Sequence, residues 1–377
     1  MSIPFNRPFI VGKELLYISE AVKNGHISGD GPFTKKCQKF MEKKFSAHNI
    51  LLTHSCTAAL EMAALLIDIQ PGEEVILPSF TFVSTANAFA LRGAKLVFVD
   101  IRKDTLNIDE TLIEAQITKK TKAIVVVHYA GVSCEMDTVM DIARRHKIHV
   151  IEDAAQGVNA TYHGKFLGTL GHLGCYSFHE TKNFISGEGG ALIINDDKFL
   201  ERAEIIREKG TNRSKFLNGE TDKYTWVDIG SSYLPSDIIA AFLYAQLEES
   251  DSITLKRKKI FNTYYHGLTK LADSGRLRLP HTPSNIVGNA HMFYCILRNS
   301  IERTNLIQFL KKKNIMAFFH YIPLHSSPMG VHHSSNKCVL PITESIAERV
   351  LRLPCYFEMT KEDCHTVISA IEEFFES

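Results

Sequence analysis

What this chain has little of narrows its function before any motif is read. Its 8 cysteines form no C-x-x-C pair and its 17 histidines no H-x-x-x-H pair, so a structural metal is not expected. The longest nearly apolar runs, such as Ala123 to Val127, are far short of the roughly 20 residues that span a bilayer. With 43 basic and 42 acidic residues, the formal net charge of +1 makes no electrostatic case for a nucleic-acid or membrane partner. The start, Met1-Ser-Ile-Pro-Phe-Asn-Arg-Pro, lacks the basic-then-apolar order of a signal peptide. Scattered cysteines in a chain too large to need disulfide staples point to a reduced, cytoplasmic setting. A nicotinamide dehydrogenase would need a glycine-rich turn after an early strand, and His54-Ser-Cys-Thr-Ala-Ala contains no glycine.

What is present is an ordinary globular composition, 45% hydrophobic and 23% charged, over 377 residues. That length suits two domains, and we expect residues 1–250 to form a large one and 251–377 a smaller C-terminal α/β one. From residue 50 short apolar strands alternate with helices: strands at 50–53, 75–77, 95–101, 123–128 and 150–153, and helices after Ser55, from Ser84, over Glu110 to Ile117 and from Met136. This alternation predicts an α/β fold, a mostly parallel sheet covered by helices on both faces. Ligands in such sheets bind beyond the C-terminal strand ends, where Ser55, Phe82, Asp153 and Lys182 all fall.

Each of those residues has a plain reading beside a chemical one. Ser55-Cys56-Thr57 opens a helix, where free amides and the helix dipole favour an anion; Ser55 could equally be an ordinary cap. Asp153 closes an apolar strand and needs either a cation or a capping role. Phe82 could stack on a flat ring or pack in the core. Lys182 follows a strand-like run and precedes Gly187-Glu-Gly-Gly190, so a turn presents it. Together they supply an anion cup, a ring face, a counter-ion and an amine, which are the needs of pyridoxal 5′-phosphate.

The chain resembles the fold-type I pyridoxal-phosphate enzymes, and among them the DegT-type nucleotide-sugar aminotransferases. The resemblance rests on Gly29 to Pro32, Thr57-Ala58-Ala59-Leu60, Pro78-Ser-Phe-Thr-Phe82, Glu152-Asp153-Ala-Ala-Gln156, Ser177-Phe-His-Glu-Thr-Lys182-Asn183, Gly187-Glu-Gly-Gly190 and His320-Tyr-Ile-Pro-Leu-His325. It implies that Lys182 holds the cofactor and moves the proton, that Asp153 pairs with the ring nitrogen and that Gln156 bonds the phenolic oxygen. Phe82 would stack on the ring, with Thr57, Ala58 and Ser177 at the phosphate. It further implies L-glutamate as donor, a dTDP-keto-sugar as acceptor, and a homodimer in which a partner loop reaches the phosphate. The family places an asparagine in that loop; here Ser232 of Gly230-Ser-Ser-Tyr-Leu stands there, and a hydroxyl still donates. Gly29, Pro32, Arg213, His320 and Tyr321 are the substrate candidates. Relatives that dehydrate sugars carry histidine in place of the lysine, so Lys182 favours transamination. A keto sugar of other stereochemistry, or a 3-keto sugar, would use the same residues. A sensor that binds without turnover would not need the complete set.

Overall fold

The computed structural model describes residues 2–335 and 338–376. Seven strands build the main sheet: β1 (Asn49–Thr53), β2 (Glu74–Pro78), β3 (Lys95–Val99), β4 (Thr121–Val127), β5 (His149–Asp153), β6 (Leu173–Ser177) and β7 (Gly190–Ile194). Their spatial order is β1-β7-β6-β5-β4-β2-β3. Only β7 runs against its neighbours; the pairs among β6, β5, β4, β2 and β3 are parallel. The expected α/β class is the fold observed.

Continuous apolar strands are what a sheet buried on both faces requires. Alternate residues divide cleanly: Ile50, Ile124, Val126 and Val150 join one core, and Leu51, Val125, Ile151 and Cys175 the other. Helices Pro32–Phe45, Met136–His146 and Asp237–Glu248 cover the first face. Helices Cys56–Leu66, Val83–Ala90 and Leu200–Arg207 cover the second. A third core gathers around a small antiparallel sheet of Leu277–Arg278, Phe293–Leu297 and Val350–Leu353. The 24-residue helix Ser250–Asp273 joins the two units, with Ile253 in the main core and Ile260, Tyr264 and Leu268 in the small one. Ile3 also packs in the small core, pairing with Asn314 and Met316. Among the described residues no helix is long and apolar enough to cross a membrane.

One expectation is corrected. Glu110 to Ile117 is not a helix but two 3-10 turns, Glu110–Leu112 and Glu114–Gln116. Thr111, Ile113 and Ile117 are β-branched, only Ile113 is fully buried, and the Glu110 carboxylate is drawn to Arg102 Nη1 at 2.8 Å. The Gly29–Pro32 segment packs on Leu234 and Asp237 and does not line the cavity of its own chain. A Cβ on Gly29 would lie 2.7 Å from that of Leu234, and Pro32 is the first residue of its helix.

The start of that helix shows why. Its cap Gly31 offers no side chain, so the wholly buried Asp237 reaches across and accepts from Phe33 N (3.1 Å), Thr34 N (2.8 Å) and Thr34 Oγ1 (2.9 Å). A Cβ on Gly31 would sit 2.3 Å from the Asp237 carboxyl carbon. Asp237 is also the first residue of its own helix, so one carboxylate serves two helix N-termini. Asp237→Ala is therefore expected to destabilise the chain by about 2–3 kcal/mol, seen as a lower urea midpoint.

Candidate active site

The C-terminal ends of β1, β2, β4, β5 and β6 and the start of β7 share one edge of the sheet. Between this edge and the small sheet lies a cavity of about 520 Å³. Its walls bring together Thr57, Phe82, Asp153, Gln156, Ser177 and Lys182 from the large unit with His320, Tyr321 and Arg352 from the small one.

At the helix start, both readings of Ser55 coexist. Its hydroxyl accepts from Ala58 N at 3.0 Å, so it is a cap, and the Ala58 amide expected at a phosphate is already engaged. The amides of Cys56 and Thr57 have no intrahelical acceptor, as for the first donors of any helix, and Thr57 Oγ1 donates to Ser84 Oγ at 2.9 Å. Strand β7 passes close by. Gly190 lies where a Cβ would be 2.4 Å from Cys56 N and from Ser55 C.

Asp153, the last residue of β5, is buried and makes no ion pair among the described residues. It accepts from Thr85 Oγ1 at 2.6 Å and Ala155 N at 3.2 Å, and Thr81 bonds Thr85 at 2.8 Å. Its neighbour Glu152 faces the other way and anchors the strand. It meets His128 Nε2 at 2.8 Å, both side chains being fully buried, and accepts from Gly168 N at 2.8 Å and Leu170 N at 2.7 Å. Phe82 is 60% exposed, which excludes the core reading; it stands at the cavity rim ahead of helix Val83–Ala90.

Lys182 sits in the turn between β6 and β7, its amide donating to His179 O at 2.9 Å. Burial lowers its pKa from that of a free lysine; Arg352 adds to this, while Cys56 and Asp153 oppose it. A partly neutral amine is what a proton-transferring lysine needs. Gln156 is held at both ends, accepting from Ala130 N at 2.7 Å and donating to Tyr321 Oη at 3.0 Å. Burial raises the Tyr321 hydroxyl to about 12, so it stays protonated. His320 lies between Tyr129 Oη (2.6 Å) and Arg352 Nη1 (2.7 Å). Burial, with Arg352 and Lys182 adding, holds its pKa well below the usual histidine value. Since Arg352 can only donate, Nδ1 of the neutral ring accepts and Nε2 carries the proton to Tyr129.

Gly29, Pro32, Arg213 and Ser232 do not line this cavity. Arg213 begins the helix Arg213–Leu217 and lies 3.6 Å from Glu208, and exposed Ser232 bridges to Glu208. Sequence reasoning missed Thr85, His291 and Arg352. His291 Nδ1 meets Asn183 Oδ1 at 3.0 Å, just beyond Lys182. The one signal for Arg352 was a charge inside the apolar run Val350–Leu353.

A buried lysine and a buried carboxylate lining one cavity, on this fold, mark an enzyme of the pyridoxal-phosphate class. Residues 8–372 match the DegT/DnrJ/EryC1/StrS aminotransferase family, and the chain belongs to it. It is 30% identical to the spore coat polysaccharide biosynthesis protein SpsC of Bacillus subtilis, over 98% of this chain and 96% of that one. Among solved structures, the aminotransferase TlmJ of Streptoalloteichus hindustanus superposes with a TM-score of 0.91 at 27% identity, covering 99% of each chain. Spr1654 of Streptococcus pneumoniae in its PLP form gives 0.91 at 25%, covering 100% of this chain and 99% of that one; it is also solved in a PMP form.

The residues fit the class's cofactor. Asp153 is a buried carboxylate with no ion pair among the described residues, Phe82 is an uncovered ring face, and Cys56 and Thr57 offer free amides at a helix N-terminus. Gly190→Ala, which drives a methyl group into the Ser55–Cys56 peptide, is expected to weaken pyridoxal-phosphate binding at least about ten-fold, read by fluorescence titration of cofactor-free protein.

Proposed function

We propose that this chain moves the amino group of L-glutamate to C4 of dTDP-4-dehydro-6-deoxy-D-glucose, giving dTDP-4-amino-4,6-dideoxy-D-galactose and 2-oxoglutarate. The observation that carries the transamination is Lys182, its amine buried in a cavity beside Asp153. The particular sugar, and a setting of the enterobacterial common antigen kind, rest on sequence resemblance, to which Thr225 to Asp237 contributes; the similarity to SpsC, a spore coat polysaccharide biosynthesis protein, supports a polysaccharide setting. The reaction is placed in the cytoplasm.

Pyridoxal phosphate, when bound, supplies the electron sink and carries the amino group between the two half-reactions. The protein's part is positional and protonic. Asp153, fixed by Thr85, would hold the ring nitrogen protonated; Phe82 would stack on the ring; Thr57 and Ser177 would take the phosphate. Gln156 is placed to bond the phenolic oxygen. Lys182 Nζ would hold the cofactor between turnovers, remove the α-proton of glutamate and return a proton to C4 of the sugar. His320 and Tyr321, locked by Tyr129, Arg352 and Gln156, present fixed polar edges to the sugar. Two copies form the active unit. Ser232 lies outside its own cavity on a loop that also exposes Trp226, so its hydroxyl is available to a partner's phosphate site.

The holoenzyme is expected to be yellow, with a cofactor band that L-glutamate bleaches. Lys182→Ala should lose turnover by at least about 10²-fold. The donor half-reaction should fall as the pH drops through a Lys182 pKa lying below the roughly 10.4 of a free lysine, because only the neutral amine accepts a proton. A colourless protein that takes up no added pyridoxal phosphate overturns the whole reading. A gluco product at C4 by NMR overturns the named sugar alone.

A further inference from the structure

The first residues of the chain cross from the small unit to the large one beside the site. Ile3 is fixed to the small unit, its amide donating to Asn314 O at 2.9 Å and its carbonyl accepting from Met316 N at 3.0 Å. Phe5 packs edge-on against Phe318 at 5.1 Å and covers the Arg352 guanidinium at 4.4 Å. At Phe9 the segment enters the main core, stacked on Phe357 at 4.5 Å. Between these anchors the Arg7–Glu358 pair is exposed and holds little. Residues 3–9 have no part in the reaction above.

The same segment touches the turn that carries Lys182. That turn closes on itself through Phe178 N to Gly189 O (2.8 Å), Glu180 N to Gly187 O (2.9 Å) and Ser186 N to Phe178 O (2.8 Å). Its second half is also tied outward. Asn183 bonds Asn289 O and His291, and the Ile185 amide donates to Oε1 of the wholly buried Gln246 at 3.5 Å. Its first half has one outward tie. Among the described residues, the only hydrogen bond that reaches residues 178–182 from outside the turn is Asn6 Nδ2 to Glu180 O, at 3.3 Å. Gln246 completes the connection by donating to Phe9 O at 3.3 Å. The segment thus holds the turn directly ahead of Lys182 and, through Gln246, behind it.

Resting on the transamination reading, we propose that Ile3–Phe9 is a strap that positions Lys182, with Asn6 as its positioning residue. A lysine amine sits on a flexible stem, so the place of its own backbone decides what it can reach. Proton transfer needs heavy atoms about 2.6–3.2 Å apart, and a misplacement of about 1 Å costs rate steeply. Asn6 acts just ahead of Lys182, on a carbonyl that no other group holds. Because Ile3 and Phe5 are fixed to the small unit, a shift of that unit relative to the main sheet is passed through Asn6 to the Lys182 turn. A segment that only packed the two units together would leave the amine where it is.

The test compares Asn6→Asp, which keeps the shape and puts a carboxylate against the Glu180 carbonyl, with Asn6→Gln, which keeps the donor. In PLP-loaded Asn6→Asp, single-turnover bleaching of the cofactor band at saturating L-glutamate is expected to slow about three- to ten-fold. The pH at which that band changes is expected to move by at least about 0.3 unit, since the band reports the nitrogen that Lys182 supplies. The urea midpoint stays at the wild-type value, because the bond is exposed, and Asn6→Gln recovers about half or more of the lost rate. A wild-type bleaching rate or an unmoved band midpoint in Asn6→Asp overturns the assignment. So does a loss of rate with a fall in urea midpoint that Asn6→Gln shares, which is the result of packing alone. Should Asn6→Asp not accumulate as folded protein, Asn6→Ala is read by the same criteria. If glutamate bleaches the wild-type band, these outcomes bear on Asn6 alone. If it does not, the transamination reading falls and takes the assignment with it.

Discussion

Gly190 pairs on one side with Thr53 and on the other with Ser177, and everything at the site depends on that double registration. Because β7 alone runs backwards, its first residue meets the last residues of β1 and β6 at one edge. The anion cup after β1 and the lysine turn after β6 are thereby held side by side. Any side chain at Gly190 would collide with the Ser55–Cys56 peptide, so the contact tolerates hydrogen only. A shift of one residue in β7 would separate the cup from the amine and turn its apolar residues to the wrong cores.

Within this frame the cavity is charged sparingly. Two carboxylates, Asp153 and Glu188, and two cations, Lys182 and Arg352, line it, and burial holds His291 and His320 well below the usual histidine pKa. The polar atoms are tied in chains rather than left to solvent: Thr81–Thr85–Asp153, Ala130–Gln156–Tyr321 and Tyr129–His320–Arg352. Such chains fix both direction and proton position, which a site working through preorganised dipoles requires. The last two also cross between the two units, so the site's geometry and the packing of one unit on the other are a single property.

The fold was legible where local pattern and tertiary environment agree. Strands buried on both faces read as short apolar runs, and the Lys182 turn is announced by its glycines. The helix Ser250–Asp273 was not read, because its buried residues serve two different cores and are separated by lysines that mask the period. The helix expected over Glu110 to Ile117 failed where β-branched residues met little burial. At the site, the residues adjacent to the motifs were found. Thr85, His291 and Arg352 were not, since each acquires its role only from a partner distant in sequence: Asp153, Asn183 and His320. Gly29, Pro32 and Arg213 came with the resemblance and lie away from the cavity.

The strand that carries Arg352 also fixes when the site can exist. A ribosome must deliver Val350–Leu353 before the second cation and its hold on His320 are in place, although β1 to β7 are complete by Ile194. Until then the Lys182 amine lacks the cavity wall that the small sheet supplies, and the site closes only once Val350–Leu353 pairs with Phe293–Leu297.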